Sequence, residues 1–119
     1  AMLVLPGGIP GTPNLAATDT LMQAVDSFAA QGKPLAAICA APSIYAERGL
    51  LSGVRATANP GFQHVLVEKG ALLSKDPVVV DGPFITSQGA GTAVAFGLEI
   101  VRHFLGDAAV LRVRDGIAL

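Results

Sequence analysis

The sequence predicts an α/β sandwich built on a mostly parallel sheet. Short apolar runs of strand length alternate with segments of helical spacing. The runs Met2–Leu5 and Leu35–Ile38 are apolar at every position, as strands buried on both faces are, which implies a sheet covered by helices on both sides. Composition agrees with a folded domain. Of 119 residues, 51% are apolar and 14% charged, which excludes intrinsic disorder. The 14 Gly and 8 Pro cut the apolar content into pieces. None approaches the ~18–20 apolar residues a membrane helix needs. With 8 basic and 9 acidic residues, a net charge of −1 and no run of Lys or Arg, neither nucleic acid nor a membrane surface is an expected partner.

Met2–Leu5 is the first strand, stopped by Pro6-Gly7-Gly8. The spacing predicts one helix from Asn14 to about Gln31, with Leu15, Leu21, Met22, Val25, Phe28 and Ala29 on one side and Gly32 ending it. Leu35–Ile38 is the second strand and ends at Cys39; Pro42 to about Arg48 is a helix opened by proline and closed by Gly49. Val54–Thr57 reads as a short strand, Phe62–Lys69 as a helix, and Val78–Val80 with Phe84–Thr86 as a strand or bent pair. Gly91 to Leu105 is the most apolar helix, stopped by Gly106. Sites in such sheets form where strands run into helices at their C-terminal ends, which selects the loops Pro6–Thr12 and Cys39–Pro42.

Cys39 lies between a strand and a helix with Ala40 and Ala41 beside it. A tight turn there needs small neighbours and pushes the central side chain outward, the arrangement of a nucleophile elbow, and the start of a helix favours a thiolate and offers free N–H groups to an oxyanion. The alternative is a small buried hydrophobe. Gly7-Gly8 lets backbone come close to a ligand or to the Cys39 turn, although turn chemistry alone accounts for the pair. A phosphate loop is absent, since no Lys follows Gly11-Thr12. Gly89-Ala90-Gly91 imitates a dinucleotide fingerprint poorly, with Val94 in the place of the third glycine, and close packing of a helix start is the better account. His64 and His103 read as solvent-facing or capping, no carboxylates are spaced as an acid/base couple, and one cysteine excludes a disulfide framework and a multi-cysteine metal site. No metal or cofactor is expected. No signal peptide is visible, so a reducing cytoplasm is the expected location.

Four segments in this order resemble the ThiJ/PfpI superfamily: Leu3-Val4-Leu5-Pro6-Gly7-Gly8, Leu35-Ala36-Ala37-Ile38-Cys39-Ala40-Ala41-Pro42, Ala56-Thr57 to Pro60, and Ile85 to Ala93 through Thr86-Ser87-Gln88-Gly89-Ala90-Gly91-Thr92. The resemblance spans essentially the whole chain. It implies a flavodoxin-like three-layer sandwich, usually dimeric, with Cys39 as the reactive cysteine and the N–H groups of Gly8 and Ala40 as oxyanion donors. Gly7, Asn59 and Pro60 would line the pocket. The implied activity is cofactor-free glyoxalase- or deglycase-like chemistry on small reactive carbonyls, linked to oxidative stress. The rival implication is a non-catalytic redox sensor or chaperone that uses oxidation of Cys39.

The chain also departs from the family pattern. Ala40 stands where protease-like members carry histidine, and Asn59 where others carry one, which argues against peptidase chemistry. Relatives begin with further strands and a helix, and that part carries a glutamate paired with the cysteine. By this reading residues 1–119 form a single, N-terminally incomplete domain. Either Ala1 is an added residue before an initiator Met2, or the chain is the C-terminal piece of something longer, with a complementary N-terminal fragment covering its open edge.

Overall fold

The computed structural model describes residues 1–119. Its main sheet has four strands in the order β1 (Leu3–Leu5), β2 (Leu35–Ile38), β6 (Phe84–Ser87), β5 (Val78–Asp81). β1, β2 and β6 run parallel and β5 is antiparallel to β6, so the mostly parallel α/β sandwich is present. The bent pair is a hairpin turned at Gly82, whose φ of 57° suits glycine. The short strand after α3 (Pro42–Glu47) is β3 (Arg55–Ala56), which pairs with β4 (Leu72–Leu73) in a separate parallel ladder.

The helix predicted from Asn14 to Gln31 is two helices, α1 (Gly11–Ala16) and α2 (Asp19–Ala30). The break falls at Thr18, which is extended (φ −90°, ψ 102°) and whose hydroxyl donates to the Asn14 carbonyl at 2.9 Å. A threonine that satisfies itself locally favours a cap over a helix interior, and Asp19 follows it in the first turn of α2. The end of α2 is as expected: Gly32 has φ 67°, and Lys33 N–H donates back to the Phe28 carbonyl at 2.9 Å. α4 (Gln63–Glu68) follows a 3₁₀ turn at Pro60–Phe62, and α5 (Ala93–Leu105) follows one at Ala90–Thr92. Beyond Gly106 (φ 83°) the chain forms α6 (Asp107–Gly116), which lacks the apolar stripe that would announce it. No helix is long and apolar enough to cross a membrane.

The two faces of the sheet are unequally covered. On one, α2, α3 and α4 enclose a core of 15 buried residues that includes Val25, Leu35, Tyr45, Leu51 and Leu66. On the other, Ala36, Ile85 and Phe96 form a cluster of 3 under α5. β1 has one neighbour, β2, and Val4 on it is 43% exposed.

Tyr45, wholly buried, fixes α3 to the sheet by donating its hydroxyl to the Ala36 carbonyl at 2.9 Å, with the Phe84 ring 6.1 Å away. Burial pushes its phenol pKa well above the ordinary value. Because the folded state keeps the proton longer than the unfolded chain, this contribution is constant below the unfolded pKa of ~10 and is lost as pH rises beyond it. Tyr45 is the only tyrosine. An alkaline titration is therefore expected to show no tyrosinate absorbance until the protein unfolds, and Tyr45→Phe should cost about 1–2 kcal/mol in denaturant unfolding, the scale of a lost buried hydrogen bond.

Candidate active site

The site forms where β1, β2 and β6 end, in the region the loop rule selects. Cys39 is the residue immediately after β2, and it adopts φ 66°, a left-handed conformation that costs a side-chain-bearing residue about 1–2 kcal/mol. Two main-chain bonds hold it there. Its N–H donates to the Ser87 carbonyl at the end of β6 (3.0 Å), and its carbonyl accepts from Asn59 N–H (2.8 Å). The thiol side chain is half-buried and is the only one in the chain.

Gly7 lies directly against this turn. A Cβ built on it would stand 2.5 Å from Cys39 Cβ, 2.8 Å from the Ile38 carbonyl oxygen and 3.2 Å from Ala40 N, so only glycine permits the approach. Gly8 is exposed with φ 96° and has open space on its Cβ side. No protein acceptor takes the N–H of Gly8 or of Ala40. Their carbonyls are braced instead: Thr12 N–H donates to Gly8 O at 2.8 Å, and Ser43 Oγ donates to Ala40 O at 2.6 Å.

Asn59 is half-buried and caps the Pro60–Phe62 turn, its Oδ1 accepting from Gly61 N–H at 3.1 Å. Its Nδ2 lies 3.6 Å from where a Cβ on Gly89 would sit, which brings the β3 and β6 loops together beside Cys39. Pro60 is exposed at the rim. The structure thus gathers Gly7, Cys39, Ala40 and Asn59 at one end of the sheet, with Gly8 next in the chain.

Other residues fall elsewhere. His64 is exposed on α4, and His103 is exposed in the last turn of α5 with its ring edge-on to Phe104. No group of three or more His, Cys, Asp or Glu side chains is placed to hold a metal. The carboxylates that find partners, Asp26, Asp81, Glu99 and Asp107, bond to arginines or to Arg55 N–H and not to the elbow. Gly91 has nothing within 4 Å of a built Cβ, so close packing is not what places glycine there.

Sequence reasoning passed over the support beneath the site. Thr57 and Thr86 are completely buried, and Thr86 Oγ1 accepts Thr57 N–H at 3.0 Å, joining β3 to β6. Ser87 Oγ donates to the Pro77 carbonyl (2.7 Å) and meets Thr92 Oγ1 at 2.6 Å, and Thr92 Oγ1 also accepts Gly89 N–H at 3.1 Å. Two adjacent hydroxyl residues ending an apolar strand are the signal that could have found this network.

The profile of the DJ-1/PfpI family matches residues 1–103. Protein DJ-1 homolog B of Arabidopsis thaliana is 40% identical over 106 residues, covering 88% of this chain and 24% of its own. A protein named a deglycase, from Pyrococcus abyssi, is 32% identical over 100 residues, covering 84% of this chain and 60% of its own. The crystal structure of Drosophila melanogaster DJ-1beta superposes with a TM-score of 0.92 at 35% identity, over 99% of this chain and 63% of that one. The chain therefore spans less than two thirds of the length of these relatives.

The strain at Cys39 is testable by itself. Glycine relieves a left-handed residue where alanine does not, so Cys39→Gly is expected to be more stable than Cys39→Ala by about 1 kcal/mol, the reverse of the usual order. Gly7→Ala, which drives a methyl into the elbow, should cost about 1–3 kcal/mol. Chemical denaturation of the three variants measures both.

Proposed function

From the premise that the chain belongs to the DJ-1/PfpI family, we propose that it serves a cysteine-dependent, cofactor-free reaction on small reactive carbonyls, of the glyoxalase or deglycase type. The observation that carries the reading is the left-handed, half-exposed Cys39 pinned between Ser87 and Asn59, with the unpartnered N–H of Ala40 next to it in the sequence and that of Gly8 one residue past Gly7, which lies against the turn. The relative named a deglycase supports the substrate class.

With an α-oxoaldehyde such as methylglyoxal, the Cys39 sulfur adds to the aldehyde carbon. The C=O π pair moves to oxygen and is received by the N–H groups of Gly8 and Ala40. Protonation of that oxygen gives the hemithioacetal. Transfer of the proton on C1 to C2, with the hydroxyl proton passing from the C1 oxygen to the C2 oxygen, turns it into a thioester, and water then releases the hydroxy acid and the thiol. The net change is addition of one water, with no external oxidant or reductant. This chain supplies the nucleophile and the donors. We assign the proton transfer to a carboxylate from an N-terminal segment that pairs with the free edge of β1 and covers Val4, in a homodimeric protein of a reducing compartment. Asn59 and Pro60 border the opening, with Gly7 behind the thiol.

Methylglyoxal is expected to slow alkylation of Cys39 in a saturable way, and its turnover is expected to disappear in Cys39→Ala and Cys39→Ser. Turnover that survives Cys39→Ala would falsify the reading. Denaturing mass spectrometry of the purified protein tests the partner segment: a second polypeptide of roughly 60–80 residues, the size of the missing part of a domain, is the expected result.

A further inference from the structure

The proposed reaction builds negative charge on two oxygens in turn, and the N–H groups of Gly8 and Ala40 receive only the first. Addition of the Cys39 sulfur puts charge on the C1 oxygen. When the proton on C1 then leaves for the transferring carboxylate, its bonding pair forms the C1–C2 double bond and the C2=O π pair moves onto the C2 oxygen. A hydrogen-bond donor at that second oxygen lowers the barrier, because it meets charge that develops only during the transfer.

Asn59 carries such a donor, and the main chain sets its position. Thr57 and Ala58 before it are wholly buried, and its own N–H donates to the Cys39 carbonyl at 2.8 Å. That carbonyl shares a peptide unit with the Ala40 N–H, so the Asn59 side chain starts beside the first oxyanion donor. The amide is oriented as well as placed. Oδ1 accepts from Gly61 N–H at 3.1 Å, and the reversed amide would set two donors against each other.

Nδ2 is therefore the free end. It lies over Gly89, 3.6 Å from where a Cβ would stand, on the loop that follows Ser87, whose carbonyl takes the Cys39 N–H. No acceptor in the protein bonds to it: the Gly89 carbonyl is taken by Thr92 N–H at 2.9 Å, and the Ala58 carbonyl by the Gln63 side chain at 3.0 Å. Asn59 is half-buried, so its Nδ2 stands at the opening with two hydrogens to give.

We infer that Asn59 is a catalytic residue whose Nδ2 donates to the C2 oxygen of the dicarbonyl substrate and holds the enediolate. This role rests on the carbonyl reading and assigns a group within it. An amide neither gains nor loses a proton near neutrality, so Asn59 stabilises the charge and leaves the proton to the carboxylate. The proton then returns to C2, the hydroxyl proton passes from the C1 oxygen to the C2 oxygen, and the charge on C2–O is discharged.

Protection of Cys39 from alkylation reads the addition step alone and needs no proton-transfer group. The probes are methylglyoxal and propionaldehyde, which has the same carbon skeleton without the C2 oxygen. Asn59→Ser keeps the main-chain bond to Cys39 and a capping oxygen for Gly61 N–H, and removes Nδ2. It is expected to weaken protection by methylglyoxal about three- to tenfold, the scale of one hydrogen bond, and to leave protection by propionaldehyde unchanged. Asn59→Asp keeps the shape and the cap, replaces the donor by an acceptor, and is expected to lose at least as much at neutral pH. Equal effects on the two aldehydes in both variants mark a merely structural residue and overturn the inference, as does methylglyoxal protection that survives both substitutions. Absence of methylglyoxal protection in the unsubstituted protein strikes the carbonyl reading itself, and the role of Asn59 with it.

Discussion

The upper end of the sheet is organised around one strained turn, in which a residue with a side chain is held at φ 66° because its neighbours leave it no other course. Ser87 takes the Cys39 N–H, Asn59 supplies the donor for its carbonyl, and Gly7 fills the space behind it so closely that even a methyl would collide. Each constraint comes from a different segment. The turn therefore persists only while β1, β2, β6 and the β3 loop are in register. That is how a small domain keeps a cysteine in a left-handed conformation: the cost of the strained residue is spread over contacts from several parts of the fold.

The register itself depends on buried hydroxyl groups more than on charge. The hydroxyls of Thr86, Ser87 and Thr92 take up main-chain groups of Thr57, Pro77 and Gly89 across the loops that border Cys39, inside a protein whose ion pairs, Asp26–Arg48 and the Arg102 pairs with Glu99 and Asp107, all lie on the surface. Surface pairs contribute little and weaken in salt, whereas a buried hydroxyl left without its partner is costly. The site is tuned by groups that do not titrate near neutrality.

Much of this was legible in the sequence, and the rest was hidden for identifiable reasons. Fully apolar strands, the small residues after Ile38 and the glycines after Leu5 reveal the sheet and the place of the elbow, because burial and close approach restrict residue type directly. The break at Thr18 was not visible, because Leu15, Leu21 and Met22 keep a helical rhythm on either side of a cap that breaks it. α6 was missed because four of its ten residues are charged and no apolar stripe marks it. The left-handed φ at Cys39 could not be read at all, since glycine is the usual residue there and the strain comes from tertiary contacts. Gly91 misled in the opposite direction: glycine suggested a close approach where the structure has open space.

The unequal faces of the sheet bear on how the site works. α2, α3 and α4 bury 15 core residues on one side, while the second cluster holds 3 and β1 keeps a free edge. Cys39 follows β2, the strand next to that edge, so whatever pairs with β1 arrives within one strand of the thiol. A partner strand there would satisfy the open backbone groups of β1, remove Val4 from water and bring its own loop to the C-terminal ends where Gly7, Gly8 and Cys39 already lie. On the function proposed above, completion of the sheet and completion of the chemistry are one event: Cys39 and the N–H groups of Gly8 and Ala40 belong to this chain, and the proton transfer is assigned to the segment that closes the edge.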